Sequence, residues 1–177
     1  MPIVEADIEY YLSGASSDGG SQSDPNASLG NYRSSSEIVD ATLNNLFDNV
    51  SGDEAESGDT EYRAIFVKNA HGSLTWQGVK LWIVAQPDAR GTKESFEIGI
   101  EAPSAQPDGY IQTIVDESTP PAAISFSAPS SKGAGLDIGD LAAGYIYGIW
   151  LKRIVPANTE VKDSAQVQIR CEGDTGE

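Results

Sequence analysis

Residues 62–68 read YRAIFVK, and this run is the strongest indication of the fold class. A strand with one face in water alternates apolar and polar residues, because successive side chains point to opposite faces. Here the residues from Ala64 to Val67 are all apolar, with no such alternation. The run therefore predicts a strand that is buried on both faces.

Further strand patterns follow at short intervals. In Ser95–Glu101, Phe96, Ile98 and Ile100 alternate with polar residues or glycine, which predicts one buried and one wet face. Turn residues such as Pro107-Asp108-Gly109 separate the runs. We predict an all-β fold, an antiparallel β-sandwich of Ig-like or jelly-roll type. The other candidate strands are Leu74–Ala85, Tyr110–Val115, Ala122–Ala128, Tyr145–Val155 and Ala165–Glu172.

The N-terminal part of the chain has a different composition. Residues 13–36 are mostly Gly, Ser, Asp and Asn, with almost nothing to bury. We therefore predict an extended Ser/Gly-rich N-terminal arm over residues 1–36 and a β-sandwich domain over residues 37–177. The apolar alternation in residues 3–12 is compatible with a short strand inside the arm.

The formal net charge of −16 narrows the range of partners. Affinity for nucleic acids and for anionic membranes depends on Lys and Arg, so we expect neither as a partner. The N-terminus carries no signal-peptide pattern, and no segment approaches the ~20 apolar residues of a membrane helix. A single cysteine provides no disulfide framework, which is consistent with synthesis in a reducing cytoplasm.

An acidic run, Asp48 to Glu61, precedes the first strong strand and raises the question of a metal site. A calcium loop that begins at Asp53 would need a bidentate acid at its twelfth position, where the chain has Ala64. We therefore interpret the run as a solvated loop and predict no metal ligands. Calcium held weakly between Asp53, Glu56 and Asp59 is the alternative.

Candidate catalytic residues are few. His71 is the single histidine, and the nucleophile-elbow pattern Gly-x-Ser-x-Gly does not occur. We expect His71 to cap backbone groups in a turn and Cys171 to be a small core residue. We predict no catalytic residue, no cofactor and no enzyme activity.

The aromatic residues suggest one alternative, a carbohydrate-binding surface. Trp82 and Trp150 lie inside apolar runs, which favours packing in the core. Trp76 stands between Thr75 and Gln77 and is the best candidate for an exposed stacking platform.

Several stretches together resemble a family of small virion structural proteins of tailed bacteriophages. They are DIEYYLSGA (7–15), SDPNASLG (23–30), NLFDNVSGDEAESGDTEYRAIFVKN (45–69), VKLWI (79–83), GDLAAGYIYGIWLKRIVPANT (139–159) and VQIRCEGDT (167–175). The resemblance implies a β-sandwich that sits on or between other virion subunits, and it implies no catalytic or metal residues.

From this resemblance we expect a capsid decoration or cement protein, made in the host cytoplasm and located in the virion. Its partner would be the major capsid protein or another virion subunit, and it would form a homo-oligomer, a trimer or dimer. The alternatives are a neck, tail or baseplate component, or a carbohydrate-binding module for host attachment.

Overall fold

A computed structural model describes residues 1–87, 94–160 and 165–175. The rest of the predicted sandwich domain, residues 88–93, 161–164 and 176–177, lies outside the described part. Within these described ranges, one short helix, α1 (Gly52–Ser57), and three 3-10 turns accompany the strands. The nine described strands are β1 (Ile8–Ala15), β2 (Gly30–Glu37), β3 (Asp59–Asn69), β4 (Trp76–Ala85), β5 (Ser95–Glu101), β6 (Tyr110–Thr113), β7 (Leu136–Leu141), β8 (Ile146–Val155) and β9 (Gln168–Thr175).

These nine strands form two sheets, and all neighbouring strands within each sheet pair antiparallel. The larger sheet has the order β5-β8-β3-β1-β2-β6, and the smaller has the order β7-β4-β9. Apolar side chains from both sheets join in one core cluster, which confirms the predicted all-β, sandwich-like fold. Its fully or nearly buried members include Ile65, Val67, Val79, Leu81, Ile98, Ile149, Leu151 and Cys171.

Strand β3 lies inside the larger sheet and is buried on both faces. It pairs with β8 from Asp59 opposite Val155 to Lys68 opposite Ile146. Ile65 and Val67 point into the core between the sheets, whereas Ala64 and Phe66 belong to a second cluster on the opposite face. The prediction from YRAIFVK is confirmed.

The extended arm predicted at residues 1–36 is wrong. Strand β1 lies between β3 and β2 in the larger sheet, and the boundary placed after residue 36 falls inside β2. Strand β2 is almost entirely polar and is held by backbone hydrogen bonds along the sheet, whereas β1 also buries Leu12 and Ala15. Gly30 has φ +98°, and a Cβ there would lie 1.9 Å from the carbonyl oxygen of Gln112, so the close strand approach requires glycine.

One further strand prediction differs from the structure, and one strand, β7, was not predicted. Ala122–Ala128 contains no strand, although Ser127 forms an isolated bridge with Ile98. Its side chains Ile124 and Phe126 pack against the second core cluster, which explains the apolar pattern. Strand β7 forms where glycines at 133, 135 and 139 indicate a turn, because β4 supplies a partner for its backbone.

Candidate functional site

A cluster of buried charges lies at one end of the sandwich. Glu61 on β3 pairs directly opposite Arg153 on β8, and Arg63 follows two residues later on the same face as Glu61. The three residues are 1%, 3% and 0% exposed, respectively. Buried charges require partners, so their contacts define what this end of the sandwich can do.

Arg153 connects the sheet to the long segment before α1. Its Nε donates a hydrogen bond to Glu61 Oε2. Its Nη1 donates to the carbonyl oxygen of Asp48 at 2.6 Å, and its Nη2 donates to Asp48 Oδ1 at 3.2 Å. The guanidinium lies 5.0 Å from the ring centroid of Phe47. Arg153 thereby holds residues 47–48 against the sandwich.

Arg63 makes a second set of contacts beside this one. Its Nη2 donates to Asn26 Oδ1 at 3.1 Å and to Glu117 Oε2. Its guanidinium lies 5.5 Å from the Phe47 ring, so that ring is in contact range of two arginines. Residues far apart in the sequence therefore converge on two buried cations.

The partners of the buried Glu61 carboxylate compensate its charge and its hydrogen-bond acceptors only in part. Burial disfavours its charged form and raises its pKa to about 7, although the Arg153 guanidinium opposes this rise. Oε2 accepts the hydrogen bond from Arg153, whereas Oε1 accepts none from any described residue. Burial also raises the pKa of Glu94, whose Oε1 lies 4.0 Å from Arg153 Nε.

Part of the acidic run is helical rather than loop: residues 52–57 form α1, and Asp53 and Glu56 on it are exposed to solvent. Ser51 begins α1: its Oγ accepts a hydrogen bond from the Glu54 backbone N–H, and Glu54 Oε2 accepts one from the Ser51 N–H. This capping box could have been found in the sequence as Ser-x-x-Glu. The helix brings Glu54 to Asp59 and Glu61, so that one carboxylate oxygen from each lies within 4.8 Å of the others.

This triad differs from the grouping considered from the sequence. Asp53 and Glu56 are exposed and do not belong to the group of described residues that could share an ion. The sequence could have indicated that Glu61 lies beside Asp59, because residues 59 and 61 of one strand point to the same face.

An open groove adjoins the charged cluster. It lies between residues 38–50 and strand β9, and its volume is about 1340 Å³. Ile65, Phe96 and Leu151 of the larger sheet line it together with Cys171 of the smaller sheet. Val39 and Leu43 also line it and are 65% and 63% exposed. The groove thus combines an apolar floor with exposed apolar side chains.

His71 and Cys171 lie where we expect them. His71 Nδ1 accepts hydrogen bonds from the backbone N–H groups of Ser73 and Leu74, as in a capped turn. Cys171 is a buried core residue, and burial raises the pKa of its thiol to about 12. The structure keeps the two residues in separate regions, one in a turn and one in the core.

Trp76, the best candidate for an exposed stacking platform, is buried instead. Its side chain is 2% exposed in the core between the sheets, and Trp82 and Trp150 are also buried. Gly173 lies against the Trp76 ring, where a Cβ would come within 2.8 Å of the indole nitrogen. β4 is the middle strand of the smaller sheet, and Trp76 projects from its inner face into the core. Trp76 therefore offers no surface for stacking.

Comparisons with models of protein families, with curated proteins and with solved structures found no match. Within the described ranges, no helix is long and apolar enough to cross a membrane.

Proposed function

We propose that this chain is a capsid decoration protein of a tailed bacteriophage, which docks on the assembled capsid and performs no reaction. The resemblance of the sequence to small virion proteins supports the location. The observation that carries the docking role is the open groove edged by exposed Val39 and Leu43. Exposed apolar patches next to polar residues are typical of interaction surfaces.

The charge of the groove favours one kind of occupant. A segment with apolar side chains flanked by Lys or Arg would match both the floor and the acidic rim. We therefore propose a basic, partly apolar segment of the major capsid protein. Among the described residues that line the groove, the acidic ones are Glu5, Glu37, Asp40, Asp48, Glu94 and Glu172, and the basic ones are Arg153 and Arg170.

Stabilisation of the capsid would follow from mass action. A protein that binds the assembled lattice and not the separate subunits stabilises the lattice by its binding free energy. Many copies per particle multiply a modest contact, and a dimer or trimer of the chain would add avidity. The net charge of −16 keeps the unbound protein soluble at the concentrations that such binding needs.

Quantitative mass spectrometry of purified particles tests the location. We expect hundreds of copies per virion. A few copies would instead indicate a neck, tail or baseplate component, and complete absence from particles would overturn the virion role altogether.

Co-sedimentation of the purified chain with particles that lack it tests the groove. The double variant Val39→Asp/Leu43→Asp should bind at least about tenfold more weakly, because charges replace the apolar contacts. Val115→Asp is the matched control, since Val115 is 85% exposed and lies outside the groove lining. Equal binding by the double variant and the control would refute docking through the groove.

A further inference from the structure

Three carboxylates converge where α1 meets the start of β3. Glu54 reaches the sheet from the helix, whereas Asp59 and Glu61 project from one face of the strand. One oxygen from each residue lies within 4.8 Å of the other two. Three carboxylates at this separation repel one another when all are ionised, and a cation between them would relieve the repulsion.

Glu61 provides an independent observation. Its side chain is 1% exposed, and its Oε1 has no hydrogen-bond donor among the described residues. A buried carboxylate oxygen without a donor is uncommon, since burying an unpaired polar atom is costly. The contacts of Arg153 with Glu61 are with the other oxygen, Oε2, through Nε and Nη2, and its terminal nitrogens also bind Asp48. Oε1 therefore gains no hydrogen bond from Arg153.

We propose that Glu54, Asp59 and Glu61 form a binding site for a calcium ion. All donors are carboxylate oxygens, which suit hard cations rather than zinc or copper. Calcium accepts irregular geometry and bidentate carboxylates, whereas magnesium demands a near-ideal octahedron. Carboxylates from a short helix and from the start of a strand can form the irregular geometry of calcium more readily than an octahedron. Water would complete the coordination shell.

The ion would tie α1 to the sheet and act on the groove. Glu61 shares Arg153 with Asp48, and Asp48 lies in the segment that forms one wall of the groove. Calcium on Glu61 would therefore order the helix and, through Arg153, the wall that carries Val39 and Leu43. The proposal stands on the acidic triad and does not depend on a virion location.

Isothermal titration of the metal-depleted full chain with calcium chloride tests the site. Glu54→Gln and Asp59→Asn should each weaken calcium binding by at least about tenfold. Glutamine at 54 retains the capping box, so the helix should remain. The matched controls, Asp53→Asn and Glu56→Gln, remove one charge each from the same helix and should bind calcium as the unmodified chain does.

Thermal unfolding supplies a second readout. At calcium concentrations about 100 times Kd, the unmodified chain and both controls should melt about 5–10 °C higher than in EDTA. The shift should disappear in Glu54→Gln and Asp59→Asn. An absence of heat and of a melting shift at millimolar calcium overturns the proposal. Equal losses in all four variants, which would indicate general charge attraction, or tighter binding of magnesium also overturn it.

Discussion

Arg153→Met should destabilise the protein severely, and adding Glu61→Gln should restore part of the loss. Methionine replaces the apolar part of the arginine stem, so no large cavity should form, although the guanidinium contact with the Phe47 ring is lost. The variant removes the hydrogen bond to Glu61 and both hydrogen bonds to Asp48. Glu61 would then remain buried without an ion-pair partner.

The size of the effect follows from burial. Both side chains of the pair are nearly inaccessible, 4% and 1% exposed. Removing one partner of such a pair costs about 3–5 kcal/mol, because the remaining charge stays desolvated. Replacing the carboxylate by an amide as well removes that charge, so the double variant should be more stable than Arg153→Met by about 2 kcal/mol.

Urea unfolding followed by tryptophan fluorescence measures these differences, since Trp76 and Trp150 are buried in the two core clusters. The measurement belongs at pH 8 in EDTA, where Glu61, with a pKa of about 7, is mostly charged in the unmodified chain and no bound cation contributes. Loss of Arg153 raises this pKa further, so protonation of Glu61 relieves part of the loss in Arg153→Met. Lys152→Met is the control, because its 2.8 Å contact with Glu97 is partly exposed and should contribute less than about 1 kcal/mol.

Two results would refute this reasoning. One is a loss for Arg153→Met no larger than that for Lys152→Met. The other is strict additivity of Glu61→Gln and Arg153→Met, which would mean that the pair is not energetically coupled in the folded protein.

The remaining predictions concern the sheet and the core. Deleting residues 1–36 should abolish folding, because β3 loses its β1 partner; a far-UV spectrum with intact strand signal would contradict this. Phe96→Asp should cost several kcal/mol in urea unfolding, since Phe96 is 4% exposed and packs 5.4 Å from the Phe47 ring; an unchanged midpoint would count against it. Burial keeps the Cys171 thiol protonated in the fold, with a pKa of about 12, whereas the unfolded chain releases the proton from about pH 9. Stability should therefore fall by about 1.4 kcal/mol more between pH 7 and 10 in the unmodified chain than in Cys171→Ala, and parallel pH profiles would disprove it.

Side-chain periodicity made the larger part of the fold predictable. The bounds of β5 match the predicted strand, and Cys171 is a buried core residue as expected, with Val167 and Ile169 packed against the same cluster. These patterns are local, because each depends on which face of a strand a side chain points to. These patterns therefore predict the buried face of a strand whichever strand pairs with it.

Strand β2 escaped prediction for a physical reason. The residues of β2, Gly30–Glu37, are almost all polar, as in a loop. Their place in the sheet comes from backbone hydrogen bonds to β1 and β6. Because nearly all residue types offer the same backbone groups, the sequence does not reveal this pairing. A polar strand and a polar arm therefore look alike until the partner strands are known.

By itself, the sequence determined an all-β chain with a doubly buried strand at residues 62–68, because apolar runs and two-residue periods act within a single strand. The tertiary structure alone decided that Glu61 meets Arg153, which is 92 residues away, and that Glu54 joins Asp59. Such meetings depend on strand pairing and on how a helix packs against a sheet. Those choices are made by the free energy of the whole fold, and no local pattern records them.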